Sequence, residues 1–268
     1  MKIVLSPAKA LDYTTPALDV PASLPAFLEQ THALVDILRG YDEVALSGLM
    51  SISAALSREN VARYQRFSDT FDETNSRPAL YAFNGDVYDG LSARTLTRAE
   101  AERANGLVRI LSGLYGGLRP FDLMQPYRLE MGTKLPNPAG KDLYAFWRER
   151  ITATLNQALA DDPHPVLVNL ASDEYFSAVD VKRLAHPVLK IAFEEWRDDA
   201  RLPEGGKWKV VSFNAKRARG MMTRYAIDID AKKPEDLRGF DRDGYALDEA
   251  ASSDDRWVFR RRDWPPAK

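Results

Sequence analysis

Lys216, Arg217, Arg219 and Arg224 lie within the thirteen residues 213–225, Phe-Asn-Ala-Lys-Arg-Ala-Arg-Gly-Met-Met-Thr-Arg-Tyr, with no acid among them. At about 100° per residue, the four cations of a helix here would share an arc of roughly 160°. Ala218, Met221, Met222, Tyr225 and Ile229 fall opposite, and Ile227 alone breaks the pattern. The spacing predicts a helix docked by its apolar stripe and presenting a compact cationic face. Such a face binds phosphates through charge and bidentate arginine contacts. The plain alternative is a solvated helix surface.

Four other segments carry polar groups at element ends. Ser6-Pro7-Ala8-Lys9-Ala10-Leu11-Asp12 closes a strand with a lysine near a carboxylate. Asn84-Gly85-Asp86-Val87-Tyr88-Asp89-Gly90 sets two carboxylates in a turn bounded by glycine, where they could equally bond turn amides. Ser112-Gly113-Leu114-Tyr115-Gly116 runs through Arg119-Pro120 to Tyr127-Arg128-Leu129-Glu130-Met131-Gly132-Thr133-Lys134. Asn169-Leu170-Ala171-Ser172-Asp173-Glu174-Tyr175-Phe176 follows a strand, a favoured ligand position in open α/β sheets, although Asp173 could simply cap a helix.

The elements that must position these groups follow from periodicity and punctuation. Strands are predicted over 2–5, 78–83, 166–170, 188–193, 207–213 and 257–261. Helices are predicted over 24–39, 42–49, 53–67, 98–108 (with Thr97 as cap) and 142–159. Residues 113–140 are rich in glycine and proline, yet their aromatic and aliphatic content argues for order. With no linker and no repeat, the chain reads as mixed α/β, one domain over 1–268 with a mixed sheet and surrounding helices.

Composition narrows the function classes. The chain has 268 residues, is 45% hydrophobic and 28% charged, and carries a formal net charge of -2, so it is not a protein that coats nucleic acid by bulk charge. It has no cysteine, which excludes thiolate metal sites and cysteine nucleophiles. His32, His164 and His186 have no metal-ligand spacing. The first residues do not read as a signal segment, and no run is long enough to span a membrane, so a cytoplasmic location is expected.

The five segments in this order resemble the YaaA family of peroxide-stress proteins, from Lys2 to about Phe259. Residues 111–132, 169–176 and 215–220 carry the likeness most specifically. The resemblance implies a bacterial cytosolic protein that limits peroxide damage by lowering free iron. It also implies DNA binding, through a mixed α/β fold with a helix-hairpin-helix element beside a basic cleft. Two segments are candidates for that hairpin: Gly48-Leu49, with Met50 where a second glycine is expected, and Gly113 to Gly116.

On this reading DNA is the partner, gripped by its phosphate backbone largely without sequence preference. Lys216, Arg217, Arg219 and Arg224 are the first phosphate contacts, followed by Arg128, Lys134 and Lys9. Arg119 could line the same cleft, and Tyr115 and Tyr127 could stack on bases. The chain is taken as a monomer with no cofactor and no metal. The carboxylates fit DNA poorly, because they repel phosphates. The rival is an enzyme acting on a phosphorylated or nucleotide-like small molecule, drawn from Lys9, Asp12, Asp173 and Glu174, with Lys9 or Lys216 as clamp and Asp173 or Glu174 as acid or base. A third arrangement is an oxygen-ligand metal site from Asp86, Asp89, Asp173 and Glu174. A deep pocket mixing cations and carboxylates would favour the enzyme, and a long open groove of duplex width would favour DNA.

Overall fold

The structure, a computed structural model, describes residues 1–202 and 205–262. In chain order its strands are β1 (Lys2–Leu5), β2 (Ala10–Leu11), β3 (Arg77–Pro78), β4 (Phe83–Asn84), β5 (Val108–Ser112), β6 (Gly116–Leu118), β7 (Leu123–Met124), β8 (Leu167–Asn169), β9 (Val188–Asp198), β10 (Gly206–Lys209), β11 (Ala246–Leu247) and β12 (Arg256–Arg261). The helices are α1 (Leu28–Arg39), α2 (Glu43–Met50), α3 (Ala54–Arg66), α4 (Ala79–Ala82), α5 (Asp86–Leu91), α6 (Arg98–Leu107), α7 (Leu143–Ala160), α8 (Asp173–Phe176) and α9 (Ser212–Asp228).

Eight strands form one mixed sheet in the order β11-β12-β9-β8-β1-β5-β6, with β10 also paired to β9. Its centre is parallel: β12, β9, β8, β1 and β5 run the same way. Residues 3–5 of β1 and all of β8 are buried, as strands covered on both faces require. The buried apolar residues join into one connected core.

The mixed α/β expectation matches this architecture, and local capping marks the start of four helices. Asp42, Ser53 and Asp142 each accept a backbone N–H at the start of α2, α3 and α7. Thr97 and Glu100 form a reciprocal capping box at α6.

Four expectations fail. Residues 79–82 form a helical turn between two short strands rather than one strand, and all four are buried. A short apolar run buried on every side has no period that distinguishes the two conformations. The first helix starts at Leu28, not Leu24, which is 52% exposed. The strand before α9 ends at Lys209, and Ser212 and Phe213 already belong to the helix. On α9 itself Ile227 is buried and Ile229 exposed, the reverse of the predicted stripe, because Ile229 lies past the last helical turn.

Candidate functional site

Because β1, β5 and β8 are parallel, their carboxyl ends share one edge of the sheet. The chain passes from β1 to β5 on one side and later returns to β8 on the other side of β1. Strand order therefore reverses between β1 and β8, and the crevice beyond their ends is the position such sheets offer to ligands. Ser6 follows β1 and Ser172 follows β8, and the two meet there. The Ser172 N–H donates to Ser6 Oγ at 2.9 Å, and Ser6 Oγ donates to Ser172 Oγ at 3.2 Å. Tyr88 Oη donates to the Ser6 carbonyl at 3.1 Å, tying α5 to the same strand end.

Helix α9 reaches this edge by lying directly on α5. A Cβ on Gly220 would sit 1.8 Å from the Val87 carbonyl oxygen, and one on Gly90 would sit 2.1 Å from the Arg217 carbonyl oxygen. Only glycine at both positions lets the two backbones touch. The contact brings Lys216 and Arg219 to the same cleft as Asp86, at the start of α5.

The resulting cavity, of about 330 Å³, is lined by Ser6, Lys9, Asn84, Asp86, Tyr88, Ser172, Glu174, Tyr175, Lys216 and Arg219, among others. Four of the five segments singled out in the sequence line it. The fifth supports it from behind. Glu130 Oε2 pairs with Lys9 Nζ at 3.0 Å, and Glu130 Oε1 with Arg128 Nη2 at 3.1 Å. The Gly132 N–H donates to Glu174 Oε1 at 3.0 Å, which fixes that carboxylate, and among the described residues no donor bonds its other oxygen.

The two cations of α9 in the cavity differ in their surroundings. Lys216 Nζ stands 4.0 Å from Asp86 Oδ2 with its side chain half exposed. Among the described residues the Arg219 guanidinium has no hydrogen bond and no ion-pair partner within 4 Å. Burial lowers its pKa, and only the field of Asp173 opposes that shift. A partly desolvated guanidinium without a protein acceptor, facing a cavity, is an anion subsite by its chemistry.

The remaining predicted residues scatter. Arg217 is half exposed and 3.5 Å from Asp243. Arg224 is engaged within the protein: Nε bonds Asp228 at 2.6 Å, and Nη1 donates to Thr95 Oγ1 and the Ser92 carbonyl. Asp173 is exposed and does not line the cavity, and Lys134 is exposed outside it. Asp12 accepts from the amides of Thr14 and Thr15 and pairs with Arg94 at 2.8 Å. The Thr15 bonds lead in holding its carboxyl below the ordinary range, so it fastens a loop rather than facing the cleft. Arg119 is 3.0 Å from Asp122 and lines a different cavity.

Several expectations are corrected. Tyr115 and Tyr127 are core residues, T-shaped against each other at 5.4 Å, with Tyr127 Oη bonded to Ser112 Oγ, and cannot stack on bases. Gly113 and Gly116 belong to the β5–β6 hairpin, so that segment joins strands and not helices. Gly48 and Leu49 lie inside α2, and the connection to α3 is made by Ser51 to Ser53, with Ser51 in the left-handed region. Among the described residues no three of His, Asp and Glu gather closely enough to hold a metal ion, so Asp86, Asp89, Asp173 and Glu174 form no carboxylate cluster.

Phe213 went unassigned in the sequence because it was placed in a strand. It is 57% exposed, one helical turn before Lys216, and the one aromatic among the exposed large apolar residues of the described chain. Starting the helix at Ser212 would have exposed that neighbour relation.

Fold and cleft together define a mixed α/β protein with a cleft of cations and carboxylates at a reversal of strand order. Residues 1–251 match the family described as Peroxide stress protein YaaA, and the chain belongs to that family. It is 50% identical to a UPF0246 protein of Bordetella avium over 262 residues, covering 98% of this chain and 99% of the relative. It is 52% identical to a UPF0246 protein of Cupriavidus pinatubonensis over 265 residues, with the same coverage of each. A UPF0246 protein of Bordetella petrii is 51% identical over 262 residues, 98% of this chain and 100% of the relative. Among the described residues no helix is long and apolar enough to cross a membrane.

Proposed function

We propose that this peroxide-stress protein acts by holding a phosphate-bearing, nucleotide-like small molecule in the cleft between the ends of β1 and β8. The observation that carries the reading is Arg219, a partly desolvated guanidinium with no acceptor of its own in a cavity that also holds Lys216. A phosphate there would satisfy the arginine fork, with Lys216 as a second cation. Ser6, Ser172 and Asn84 supply neutral polar groups to orient the ligand. Glu174, held through one oxygen by the Gly132 amide, is the carboxylate placed to move a proton on a bound ligand. Phe213, next to Lys216 on the helix surface, offers a face for a base.

Calorimetric titration with AMP and with inorganic phosphate tests the reading. Wild-type protein should bind AMP, and Arg219→Gln should weaken it at least tenfold. Absence of AMP and phosphate binding, or equal affinity in the variant, would remove the phosphate from this cleft.

A second reading, DNA gripped by its backbone in a protein that limits iron-dependent damage, is favoured by the exposure of Lys9, Lys216 and Arg217, at 64%, 52% and 47% of the side chain. It predicts duplex binding that weakens steeply with salt, and a shallower slope in Lys9→Ala/Lys216→Ala/Arg217→Ala. Fluorescence anisotropy across a salt series reads both.

A further inference from the structure

A second cavity, of about 350 Å³, shares no lining residue with the first. It lies between α7 and the β5–β6 pair. Ile151 and Leu155 face it from one turn of α7, Leu111 from β5, and Phe27 from the chain just before α1. Gly117 of β6 stands opposite Leu111 in register, and a Cβ there would meet no atom within 4 Å, so this wall opens over a glycine.

Among the described residues, one charged group lining this mostly apolar space has no ion-pair partner within 4 Å. Arg109, two residues before Leu111 and so on the same face of β5, uses Nη1 to donate to the carbonyls of Asn105 and Val108, at 3.2 and 2.7 Å. Among the described residues its Nε and Nη2 have no acceptor. Asp122 is the one carboxylate lining the cavity, and it is already engaged. Arg119 meets it through Nη2 at 3.0 Å, Nε at 3.1 Å and its backbone N–H at 2.8 Å, and Ser23 Oγ donates at 2.7 Å. Burial lowers the Arg109 pKa, Arg119 adds to that shift, and Asp122 opposes it. A partly buried cation with spare donors gains from meeting an anion.

We propose that this cavity is a binding site for a small amphipathic carboxylate. Its carboxylate would be held on the Arg109 fork and its hydrocarbon body against Phe27, Leu111, Ile151 and Leu155. The planar pair of donors matches a carboxylate's two oxygens. The volume is that of small-molecule sites, which pair mostly apolar walls with a few placed polar groups. The site is independent of the cleft at the ends of β1 and β8.

Isothermal titration calorimetry of the full chain with octanoate, 1-octanol and octyl phosphate tests this, using wild type, Arg109→Gln and Gly117→Val, each checked for folding by circular dichroism. Octanoate should bind wild type at least tenfold more tightly than octanol. Arg109→Gln should remove that preference, and Gly117→Val should abolish octanoate binding by filling open space. Failure of octanoate to bind wild type, equal affinity for octanol, or wild-type affinity in Gly117→Val would overturn the proposal. Tighter binding of octyl phosphate than of octanoate would overturn the carboxylate class. If Arg109→Gln does not fold, the octanoate–octanol comparison on wild type and the glycine variant still decide.

Discussion

The two halves of α9 carry similar charge and use it in opposite ways. In the N-terminal half, Lys216 and Arg219 face the cleft, and Arg219 has no acceptor among the described residues. In the C-terminal half, Arg224 is fastened to Asp228, Thr95 and the Ser92 carbonyl, and Asp228 is also bonded by Arg242. One half presents its guanidinium to the cleft and the other bonds it to neighbouring elements of the protein. A cluster of cations in sequence thus overstates the charge available to a partner, since the acids that neutralise part of it arrive from other elements.

Between the halves sits Gly220, and it offers the most severe way to break the arrangement. Gly220→Val should cost about 3 kcal/mol or more, because the new Cβ falls 1.8 Å from the Val87 carbonyl oxygen and must push α9 off α5. Urea unfolding measures the loss, and a near-neutral result would mean that the two helices are not in contact. The arginines sharpen the contrast next. Arg224→Ala should cost about 1–2 kcal/mol in thermal unfolding and leave AMP affinity near wild type. Arg219→Gln should do the reverse, weakening AMP at least tenfold while stability changes by less than about 1 kcal/mol. Equal behaviour of the two variants would erase the distinction.

A smaller effect appears in acid. Burial alone would raise the Asp228 pKa, but the bonds from Arg242 and Arg224 outweigh it and hold the carboxyl below its ordinary value. Its contribution is therefore complete above the unfolded carboxylate pKa of about 3.9. It is lost as pH falls through the lower folded value. Asp228→Asn should flatten that part of the stability–pH curve, and a curve parallel to wild type below pH 4 would contradict the pairing. The smallest prediction is a control. Gly106 lies within α6 with open space around its missing Cβ, so Gly106→Ala should stabilise by about 0.5–1 kcal/mol, opposite in sign to the change at Gly220.

Much of this protein was legible before any coordinates. The helix starts near 42, 53, 98 and 142 were legible, the third through Thr97 as cap, because a cap is a local hydrogen bond between residues three apart. The five segments were recognisable through their order along the chain, which carries the family resemblance, since each taken singly has an ordinary structural use. Their convergence was not legible: Ser6 meets Ser172 across 166 residues, and Lys9 meets Glu130 across 121, through sheet pairing that periodicity does not encode. Tyr115 and Tyr127 misled, since an aromatic in a glycine-rich stretch serves a base or a core equally well until its burial is known.

The sequence alone determined the mixed α/β class, the family, the basic helix and the segments that carry polar groups, all of which depend on local order along the chain. The tertiary structure decided which cations remain available. Arg219 and Arg224 are the same residue type five positions apart, and only the packing of α9 on α5 leaves one facing the cleft while neighbours neutralise the other. Charge belongs to a residue, whereas an unsatisfied charge belongs to its surroundings, and those are set by contacts between distant parts of the chain.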